Sequence, residues 1–276
     1  MPIMDKYKII SVDLDGTLLD GVMTVSKENI AAAEKLVQRG VLIVPNTGRA
    51  YIEMPDVIKE LPIFRYYIYS DGAVIYDKAT GENIYTCIAP ELGKTVTDVL
   101  EKYRAYPIVH ANNATYVDAE RTNDTDMLRW RLGDGFRRVI YDTATKVSDF
   151  WSFCRSLDKI EMVCAFFETD DALRACHAEL AKLGTLHIAS TAASNIELFS
   201  IDGGKGSSLL KLADSLGIPR EATVAVGDST NDSDMIIKAG LGIAMENACD
   251  ELKTIADTVA CKNTEHILKY MLDKYF

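Results

Sequence analysis

The chain has 276 residues, of which 30 are lysine or arginine and 41 are aspartate or glutamate, giving a formal charge of −11. Such an acidic surface repels phosphate backbones and anionic lipid, so we expect no nucleic-acid partner and no membrane partner. Hydrophobic residues make up 48% and charged residues 26%, which are ordinary globular values and exclude disordered and fibrous proteins. The length suggests one large domain or two of ordinary size.

The N-terminus and the cysteines indicate the compartment. The first residues contain no apolar segment long enough for a signal peptide or a membrane span. The six cysteines are scattered without a Cys-x-x-Cys pair, and the histidines are equally dispersed, which disfavours a zinc site or a disulfide framework. We therefore expect a cytoplasmic protein with reduced, mostly buried thiols.

The first third of the chain alternates short apolar runs with helical patterns. The apolar runs predict strands at Ile9–Val12, Val41–Val44 and Tyr66–Tyr69. Between the first two runs, Ser26 is placed to cap a helix that continues through Arg39. Strands that alternate with helices indicate right-handed crossovers and a parallel sheet.

The last third of the chain repeats this pattern. Its strand candidates are Ile196–Phe199, Thr223–Val226, Leu241–Ala244 and Thr258–Cys261, and its helix candidates are Lys205–Leu216 and about Asn231–Ala239. In both outer thirds, polar turns that contain glycine come directly after apolar strands. In an open α/β sheet such turns gather at the carboxyl edge, where ligands bind.

The middle of the chain has a different pattern, without repeats or a recognisable linker. Its helix candidates are Pro90–Arg104, Lys146–Leu157 and Asp170–Leu183, and its more polar strand candidates are Pro107–Ala111, Thr115–Asp118 and Glu161–Phe167. We interpret residues 83–192 as an inserted α/β domain, with residues 1–82 and 193–276 forming the main parallel-sheet domain.

The strongest local motif is Asp13-Leu14-Asp15-Gly16-Thr17, directly after the first predicted strand. In an extended chain, residues i and i+2 project to the same side, so both carboxylates can face one point. Two adjacent carboxylates repel unless a cation lies between them. Mg²⁺ suits this position because it prefers oxygen ligands and usually binds one or two carboxylates together with substrate phosphate. Taken alone, the motif could also be an acidic turn at a strand end.

A second motif, Gly227–Asp232, also follows an apolar strand. Asp228 could deliver one more carboxylate to the same metal, and Asn231 could bond a phosphate oxygen. Taken alone, this stretch could be a helix cap, because Asp, Ser and Asn all cap helices well. It lacks the spacing of the helix–loop–helix calcium loop.

Two further turns offer groups that hold anions. Thr47, Gly48 and Arg49 follow the second predicted strand and combine a hydroxyl with backbone amides, which suits a phosphate oxygen. The stretch Gly203–Gly206 has the look of a nucleotide loop, but its last glycine stands where a P-loop has Ser or Thr, so a P-loop is rejected. Lys205 could instead neutralise both a phosphate and an aspartate. Each turn alone is also compatible with a structural role.

The order of these four motifs, each at a strand end or a helix start, resembles the haloacid dehalogenase-like (HAD) phosphatase superfamily, specifically its Cof-type branch, subclass IIB. That family shows Asp-x-Asp-Gly-Thr, a Thr or Ser on the second strand, a Lys, and Gly-Asp-x-x-Asn-Asp in this order. The resemblance covers essentially the whole chain and implies an α/β fold: a Rossmann-like parallel-sheet core with an inserted α/β cap. One departure is Asp71, where relatives often have Asn before the glycine. We expect it to affect the hinge of the cap more than the chemistry.

The resemblance implies roles for the acidic residues. Asp13 would be the nucleophile that forms an aspartyl-phosphate, and Asp15 would act as general acid and then as general base. The Asp13 carboxylate, the Asp15 backbone carbonyl and Asp228 would hold Mg²⁺. Asp232 would orient Lys205 or a metal-bound water.

The resemblance also implies which groups hold the phosphoryl oxygens. These are Thr47, the amide of Gly48, Lys205 and Asn231, with Arg49 as a further candidate contact. The cap would close over the site and contact the rest of the substrate, with candidates in its turns at residues 112–116 and 121–126. The implied partner is a small phosphorylated metabolite, such as a sugar phosphate, with broad specificity. The expected assembly is a monomer or a weak homodimer.

Two alternatives remain at this point. A hexose phosphomutase of the same superfamily also uses two aspartates and Mg²⁺, and it needs a basic cap to bind a second phosphate; the arginines of residues 129–138 keep this possibility open. A catalytically silent phosphate-binding regulatory protein is the other. Such proteins usually lose the nucleophile, the general acid or the lysine, whereas all three are present here.

Overall fold

The computed structural model describes residues 6–276. The described chain forms two compact units. The first contains the residues up to Gly48 together with Met54–Ile84 and Gly204–Phe276, and the second contains Arg49–Glu53 and Tyr85–Gly203. Among residues 6–276, no helix is both long and apolar enough to cross a bilayer.

The strands in chain order are β1 (Ile9–Val12), β2 (Leu42–Pro45), β3 (Tyr66–Tyr69), β4 (Val74–Asp77), β5 (Glu82–Tyr85), β6 (Tyr106–Ala111), β7 (Ala114–Asp118), β8 (Thr145–Val147), β9 (Met162–Phe166), β10 (Leu186–Ala189), β11 (Asn195–Ser200), β12 (Thr223–Gly227), β13 (Leu241–Ala244) and β14 (Thr258–Val259). The α-helices are α1 (Lys27–Gln38), α2 (Asp56–Glu60), α3 (Pro90–Lys102), α4 (Asp124–Arg129), α5 (Asp134–Thr143), α6 (Phe150–Ser156), α7 (Asp170–Ala181), α8 (Lys205–Ser215), α9 (Ser233–Lys238), α10 (Asp250–Ile255) and α11 (Ile267–Tyr275).

A five-stranded parallel sheet forms the core of the first unit, in the order β14-β13-β12-β1-β2. The register pairs Ile9 of β1 with Thr223 of β12 on one side and with Leu42 of β2 on the other. All four residues of β1 are buried. A strand that is covered on both faces needs a continuous apolar sequence, which is the pattern from which it was predicted. The predicted α/β fold with a parallel-sheet core is confirmed.

The first crossover helix has the predicted cap. The hydroxyl of Ser26 accepts the backbone N–H of Asn29 at 3.1 Å, so α1 begins at Lys27. The side chain of Asn29 is buried, and its Oδ1 accepts the backbone N–H of Leu268 in α11 at 2.9 Å. This contact joins the first and last helices of the unit.

A smaller sheet, β3-β4-β5, continues from the parallel core. Past the end of β2, Asn46 pairs in parallel with Ile68 of β3. The backbone N–H of Thr47 then donates to the carbonyl of Ile68 at 3.0 Å. The turn after β2 is thereby fixed against β3.

The second unit contains a six-stranded sheet in the order β10-β11-β9-β6-β7-β8. Its pairs are antiparallel except β7 with β8. The central strand β9 is buried along its whole length, and side chains of α3, α6 and α7 pack on the sheet as one apolar core. Of the six cysteines, Cys154, Cys164 and Cys176 are buried and the others half-buried, and none forms a disulfide in the described chain.

Two predictions for this region differ from the structure in part. Ile196–Phe199 was assigned to the main domain, but β11 pairs with β9 and β10 in the second sheet, so the second unit continues past residue 192 to Gly203. A buried apolar strand has the same pattern in either sheet, and the sequence does not distinguish them. The predicted helix Lys146–Leu157 is partly a strand, because β8 ends at Val147 and α6 begins only at Phe150.

Candidate active site

The carboxyl ends of β1, β2 and β12 lie at one edge of the parallel sheet. Asp13 directly follows β1, and its backbone N–H donates to the carbonyl of Val226 in β12 at 3.0 Å. Thr47 comes after β2, and Asp228 directly follows β12. Because the strands run parallel, three of the predicted motifs meet at this edge.

A buried lysine joins these motifs. Nζ of Lys205 lies 2.8 Å from Oδ1 of Asp13 and 2.7 Å from Oδ1 of Asp232. Lys205 and Asp232 are each 1% exposed and Asp13 is 5% exposed. Charge-assisted hydrogen bonds of this kind are short and strong, and they fix the positions of all three side chains.

The start of α8 determines where Lys205 lies. The backbone N–H groups of Gly206 and Ser207 donate to Oδ2 of Asp234 at 2.8 and 3.1 Å. The carbonyl of Lys205 accepts from Nδ2 of Asn46 at 3.0 Å. The two contacts with Asp234 satisfy backbone donors at the helix start that have no partner inside the helix. The lysine side chain therefore begins from a fixed backbone.

Asp232 uses both of its carboxylate oxygens within the protein. Oδ1 accepts from Lys205, and Oδ2 accepts the backbone N–H groups of Asp228 and Ser229 at 2.9 and 3.0 Å. Ser229 and Asp232 form a capping box for the 3₁₀ turn Thr230–Asp232. The motif is thus both a helix cap and part of the charged cluster. Asp232 contacts Lys205 directly, and its role in orienting Lys205 or a metal-bound water stays a prediction.

Asp228 approaches the loop after β1 closely. The hydroxyl of Thr17 donates to Oδ1 of Asp228 at 3.3 Å. Gly16 has a φ of +79°, and a Cβ built on it would lie 2.5 Å from Oδ2 of Asp228. Only glycine leaves room for this carboxylate and adopts the backbone angle without strain. The neighbouring Asp15 is exposed, and its role in proton transfer stays a prediction.

Burial and charge crowding shift the ionisation of the cluster. Burial raises the pKa of Asp13 well above its usual value; the ammonium of Lys205 opposes this, and Asp232, Asp15 and Asp228 raise it further. Burial would lower the pKa of Lys205, but Asp13 and Asp232 hold it well above its usual range. Burial and the charge of Asp232 raise the pKa of Asp228 to about 6. Negative charge therefore exceeds positive charge in this cluster.

The cluster suits a divalent cation. One oxygen each of Asp13, Asp228 and Asp232 lies within 4.8 Å of the others. Both oxygens of Asp232 already accept hydrogen bonds, whereas the hydrogen bonds given above for Asp13 and Asp228 involve only Oδ1 of each, so these two are the better ligands. An all-oxygen donor set with excess negative charge fits Mg²⁺, which binds proteins through one or two carboxylates. The predicted ligand set, which adds the carbonyl of Asp15, stays a prediction.

Three residues predicted to bind phosphate lie around Asp71. Its Oδ1 accepts from Nδ2 of Asn231 at 3.2 Å. A Cβ built on Gly48 would lie 3.1 Å from the same oxygen. The backbone N–H of Asp71 donates to the carbonyl of Thr47 at 3.2 Å. Asp71 therefore contacts predicted phosphate-binding residues, and the expectation that it affects the hinge more than the chemistry stays a prediction. The signal that identifies it is a polar turn with glycine after a buried strand.

Arg49 belongs to the second unit, where its Nη1 donates to the carbonyl of Glu53 at 2.9 Å. The carboxylate of Glu53 accepts from the backbone N–H of Ala50 at 2.9 Å and from the hydroxyl of Thr115 at 2.7 Å, and lies 3.3 Å from Nε2 of His110. This buried polar cluster was missed, since its members belong to no motif. Contact between Arg49 and phosphate stays a prediction.

The predicted substrate-contact turns of the second unit have partners within that unit. The backbone N–H of Asn113 donates to Oε1 of Glu161 at 2.8 Å. The guanidinium of Arg121 lies over two indole rings, 5.4 Å from the centroid of Trp130 and 5.9 Å from that of Trp151. These contacts give the turns a defined structure. Their contact with a substrate stays a prediction.

A family model described as haloacid dehalogenase-like hydrolase matches residues 10–272 of the chain. The chain therefore belongs to the haloacid dehalogenase-like hydrolases, and the predicted membership is confirmed. It is similar to the phosphatase YwpJ of Bacillus subtilis (strain 168), with 31% identity over 96% of this chain and 98% of the relative. It is also similar to the 5-amino-6-(5-phospho-D-ribitylamino)uracil phosphatase YwtE of the same organism, with 30% identity over 97% of each.

Solved structures agree with this assignment. A haloacid dehalogenase-like hydrolase from B. subtilis superimposes with a TM-score of 0.84 and 30% identity, over 98% of this chain and 100% of that one. A subclass IIB sugar phosphatase has a TM-score of 0.80 at 22% identity, over 96% and 97% of the two chains, and supports the fold. The predicted enzyme class, a phosphatase of this family, agrees with the names of these relatives.

Proposed function

We propose that the protein is a Mg²⁺-dependent phosphatase that hydrolyses small phosphomonoesters through an aspartyl-phosphate on Asp13. The observation that carries the proposal is the contact of Nζ of Lys205 with Asp13 at 2.8 Å and with Asp232 at 2.7 Å, next to Asp228. A buried ammonium beside a buried carboxylate provides a nucleophile and a counter-charge for a phosphoryl group at one point.

In the first step, a carboxylate oxygen of Asp13 attacks phosphorus as the bond to the ester oxygen breaks. Asp15 donates a proton to the leaving alkoxide, which departs as an alcohol. Lys205 neutralises charge on the transferring oxygens, and Asp232 keeps its ammonium in place through the 2.7 Å contact. Positioning and charge neutralisation provide most of the catalysis in phosphoryl transfer.

In the second step, Asp15 accepts a proton from a water molecule that attacks phosphorus. The bond between phosphorus and Asp13 breaks, inorganic phosphate leaves, and the carboxylate is restored. Proton transfers of this kind typically contribute ~10²–10⁴ in rate. Asp13 and Asp228 would hold the bound Mg²⁺, which neutralises charge on the carboxylates and the phosphoryl group. Thr47, Gly48 and Asn231 would donate to phosphoryl oxygens.

We further propose a phosphorylated, polyhydroxylated small molecule as substrate. The relative YwtE is named for a phosphoribityl compound, and the subclass IIB structural neighbour is named a sugar phosphatase. Both names describe a phosphate on a short hydroxylated carbon chain. The net charge of −11 favours such small substrates over polyanions.

The phosphomutase alternative is less well supported by the contacts of residues 129–138. Arg129 pairs with Glu168 at 3.0 Å, and Arg131 pairs with Asp170 at 2.7 Å, all within the second unit. Arginines that are already paired with carboxylates are less able to bind a second phosphate. A silent regulatory protein is disfavoured because Asp13, Asp15 and Lys205 are all present.

The test is hydrolysis of p-nitrophenyl phosphate and of a hexose 1-phosphate by the purified protein. We expect release of inorganic phosphate that stops after chelation and returns with Mg²⁺ but poorly with Ca²⁺, whose looser coordination misplaces the attack. A hexose 6-phosphate product would identify a mutase instead. Full activity of a metal-free sample would remove Mg²⁺ from the proposal, and no turnover on a panel of phosphate esters would favour a silent protein.

A further inference from the structure

The turn after β3 is pressed against the predicted phosphate-binding residues. Asp71 is 1% exposed, and its Oδ1 accepts from Nδ2 of Asn231 at 3.2 Å. The same oxygen would lie 3.1 Å from a Cβ built on Gly48. A buried carboxylate thus contacts one predicted phosphate donor and packs against another.

The backbone of this turn is held in an unusual conformation. Three consecutive residues, Ser70, Asp71 and Gly72, have positive φ angles of +50°, +49° and +86°. The carbonyl of Gly72 accepts the hydroxyl of Ser208 in α8 at 2.5 Å, and a Cβ built on Gly72 would lie 2.3 Å from the carbonyl oxygen of Gly204. Non-glycine residues with positive φ are strained and persist where the surroundings fix them, often at functional sites.

In the hydrogen bond between Asp71 and Asn231, the carboxylate can only be the acceptor. An ionised carboxylate only accepts hydrogen bonds, whereas an amide both donates and accepts. Asp71 therefore requires Asn231 to turn its Nδ2 towards it, which fixes the orientation of the Asn231 amide. An asparagine at position 71 would allow either orientation.

The negative charge of Asp71 also interacts with the ammonium of Lys205. It is one of three carboxylates, with Asp13 and Asp232, that raise the pKa of Lys205. An incoming phosphate dianion is attracted by the lysine and repelled by these carboxylates. In the proposed mechanism, Asp13 is the nucleophile and Asp232 holds Lys205. Asp71 is the carboxylate of these three to which that mechanism assigns no role.

We propose that Asp71 is a positioning residue that orients the amide of Asn231 and, through its negative charge, weakens the hold of the site on inorganic phosphate. This inference rests on the proposed phosphatase function, in which inorganic phosphate is the product that must leave. A carboxylate beside the phosphate donors favours that departure, whereas a neutral residue would retain the product.

The test compares Asp71→Asn and Asp71→Gly with the parent protein and with Asp214→Asn as a control. Asn and Gly both tolerate a positive φ, so both variants suit the backbone of the turn. Asp214 is exposed on α8, nine residues beyond Lys205. That is about 14 Å along the helix, farther than the Debye length of about 10 Å at 0.1 M salt. The probe is inorganic phosphate, titrated calorimetrically at saturating Mg²⁺, and kcat is measured on p-nitrophenyl phosphate.

We expect Asp71→Asn to bind inorganic phosphate on the order of fivefold more tightly than the parent, and Asp71→Gly to gain less because it also loses the contact that orients Asn231. We expect Asp214→Asn to bind inorganic phosphate as the parent does. We expect kcat of Asp71→Gly to fall about tenfold below that of Asp71→Asn, because glycine cannot accept from Asn231. Unchanged or weaker phosphate binding in both Asp71 variants, or equal kcat in the two, would overturn the inference. Binding is measured without turnover, so an inactive parent protein would count against the proposed function and leave the phosphate comparison intact.

Discussion

In the first unit, the buried carboxylates of Asp13 and Asp232 share the ammonium of Lys205, whereas in the second unit Glu53 contacts His110 and Thr115. Burial raises the pKa of Asp13 and neighbouring carboxylates add to it. Burial would also raise the pKa of Glu53, but His110, Thr115 and the backbone lower it below its usual value. In the second cluster, the protein itself supplies hydrogen-bonding partners that stabilise the buried carboxylate of Glu53. The first has an excess of carboxylate that a bound cation would balance.

The largest expected effect comes from Asp13→Asn. Removing the nucleophile should lower turnover by at least about 10⁴-fold, as loss of other covalent nucleophiles does. The variant should still fold, because the substitution removes a negative charge that three neighbouring carboxylates repel. The measurements are phosphate release, the mass of the protein after quenching with substrate, and thermal unfolding. Normal turnover in a folded variant would refute nucleophilic catalysis by Asp13.

Lys205→Met tests whether the first cluster depends on its single ammonium. The variant leaves Asp13 and Asp232 buried without the cation they contact, so the free energy of unfolding should fall by about 3–5 kcal/mol. Mg²⁺ should recover part of this loss if the carboxylates bind it, since a ligand stabilises the state that binds it. Chemical denaturation with and without Mg²⁺ measures both effects. A decrease of less than 1 kcal/mol in the free energy of unfolding would mean that Lys205 does not stabilise the buried carboxylates.

Glu53→Gln tests whether the second cluster is complete by itself. Losing one partner of this buried pair should cost about 3 kcal/mol at pH 7. Because the pKa of Glu53 is lowered in the folded protein, its stabilising contribution is present above its usual pKa of 4.5 and is lost as the pH falls below it. Protonated Glu53 then matches glutamine, so the difference in stability between parent and variant should shrink in acid. A difference in stability that stays constant down to pH 3 would contradict a lowered pKa of Glu53 in the folded protein.

The smallest effect serves as the matched control in the same unit. Glu91 lies in the first turn of α3 and pairs with Lys94 at 2.7 Å, with 86% of its side chain exposed. Exposed pairs contribute about 0–1 kcal/mol, so Glu91→Gln should change the free energy of unfolding by less than about 1 kcal/mol. The same denaturation series measures it. If Glu91→Gln lowered the free energy of unfolding as much as Glu53→Gln does, burial would not explain the difference between the two pairs.

Much of the first unit could be predicted because its signals are local. An apolar run such as Ile9–Val12 predicts a buried strand, and the polar turns after such strands share one sheet edge in a parallel fold. The contact between Lys205 and Asp13 follows from this rule and the family resemblance, although the residues are far apart in sequence. The boundaries of the strands differ by one or two residues, as β2 shows by ending at Pro45 and β14 by ending at Val259.

The rest depended on pairings between distant residues that no local pattern marks. The strand β11 is as apolar as a core strand, and only its pairing with β9 and β10 places it in the second sheet. Glu53 and His110 are brought together by the fold of the second unit and share no spacing rule. Asp71 was noticed as a departure, but its contact with Asn231 depends on the strained turn that holds it.

The register of β1 has a consequence for synthesis on the ribosome. Its neighbour on one side, β2, emerges soon after it, but its other neighbour, β12, pairs Thr223 with Ile9 and is made more than two hundred residues later. At roughly 5–20 residues per second, one edge of β1 waits on the order of ten seconds or more for its partner. During that interval the nascent chain exposes an apolar strand edge of the kind that chaperones protect, and Asp13 acquires its lysine only after translation has passed α8.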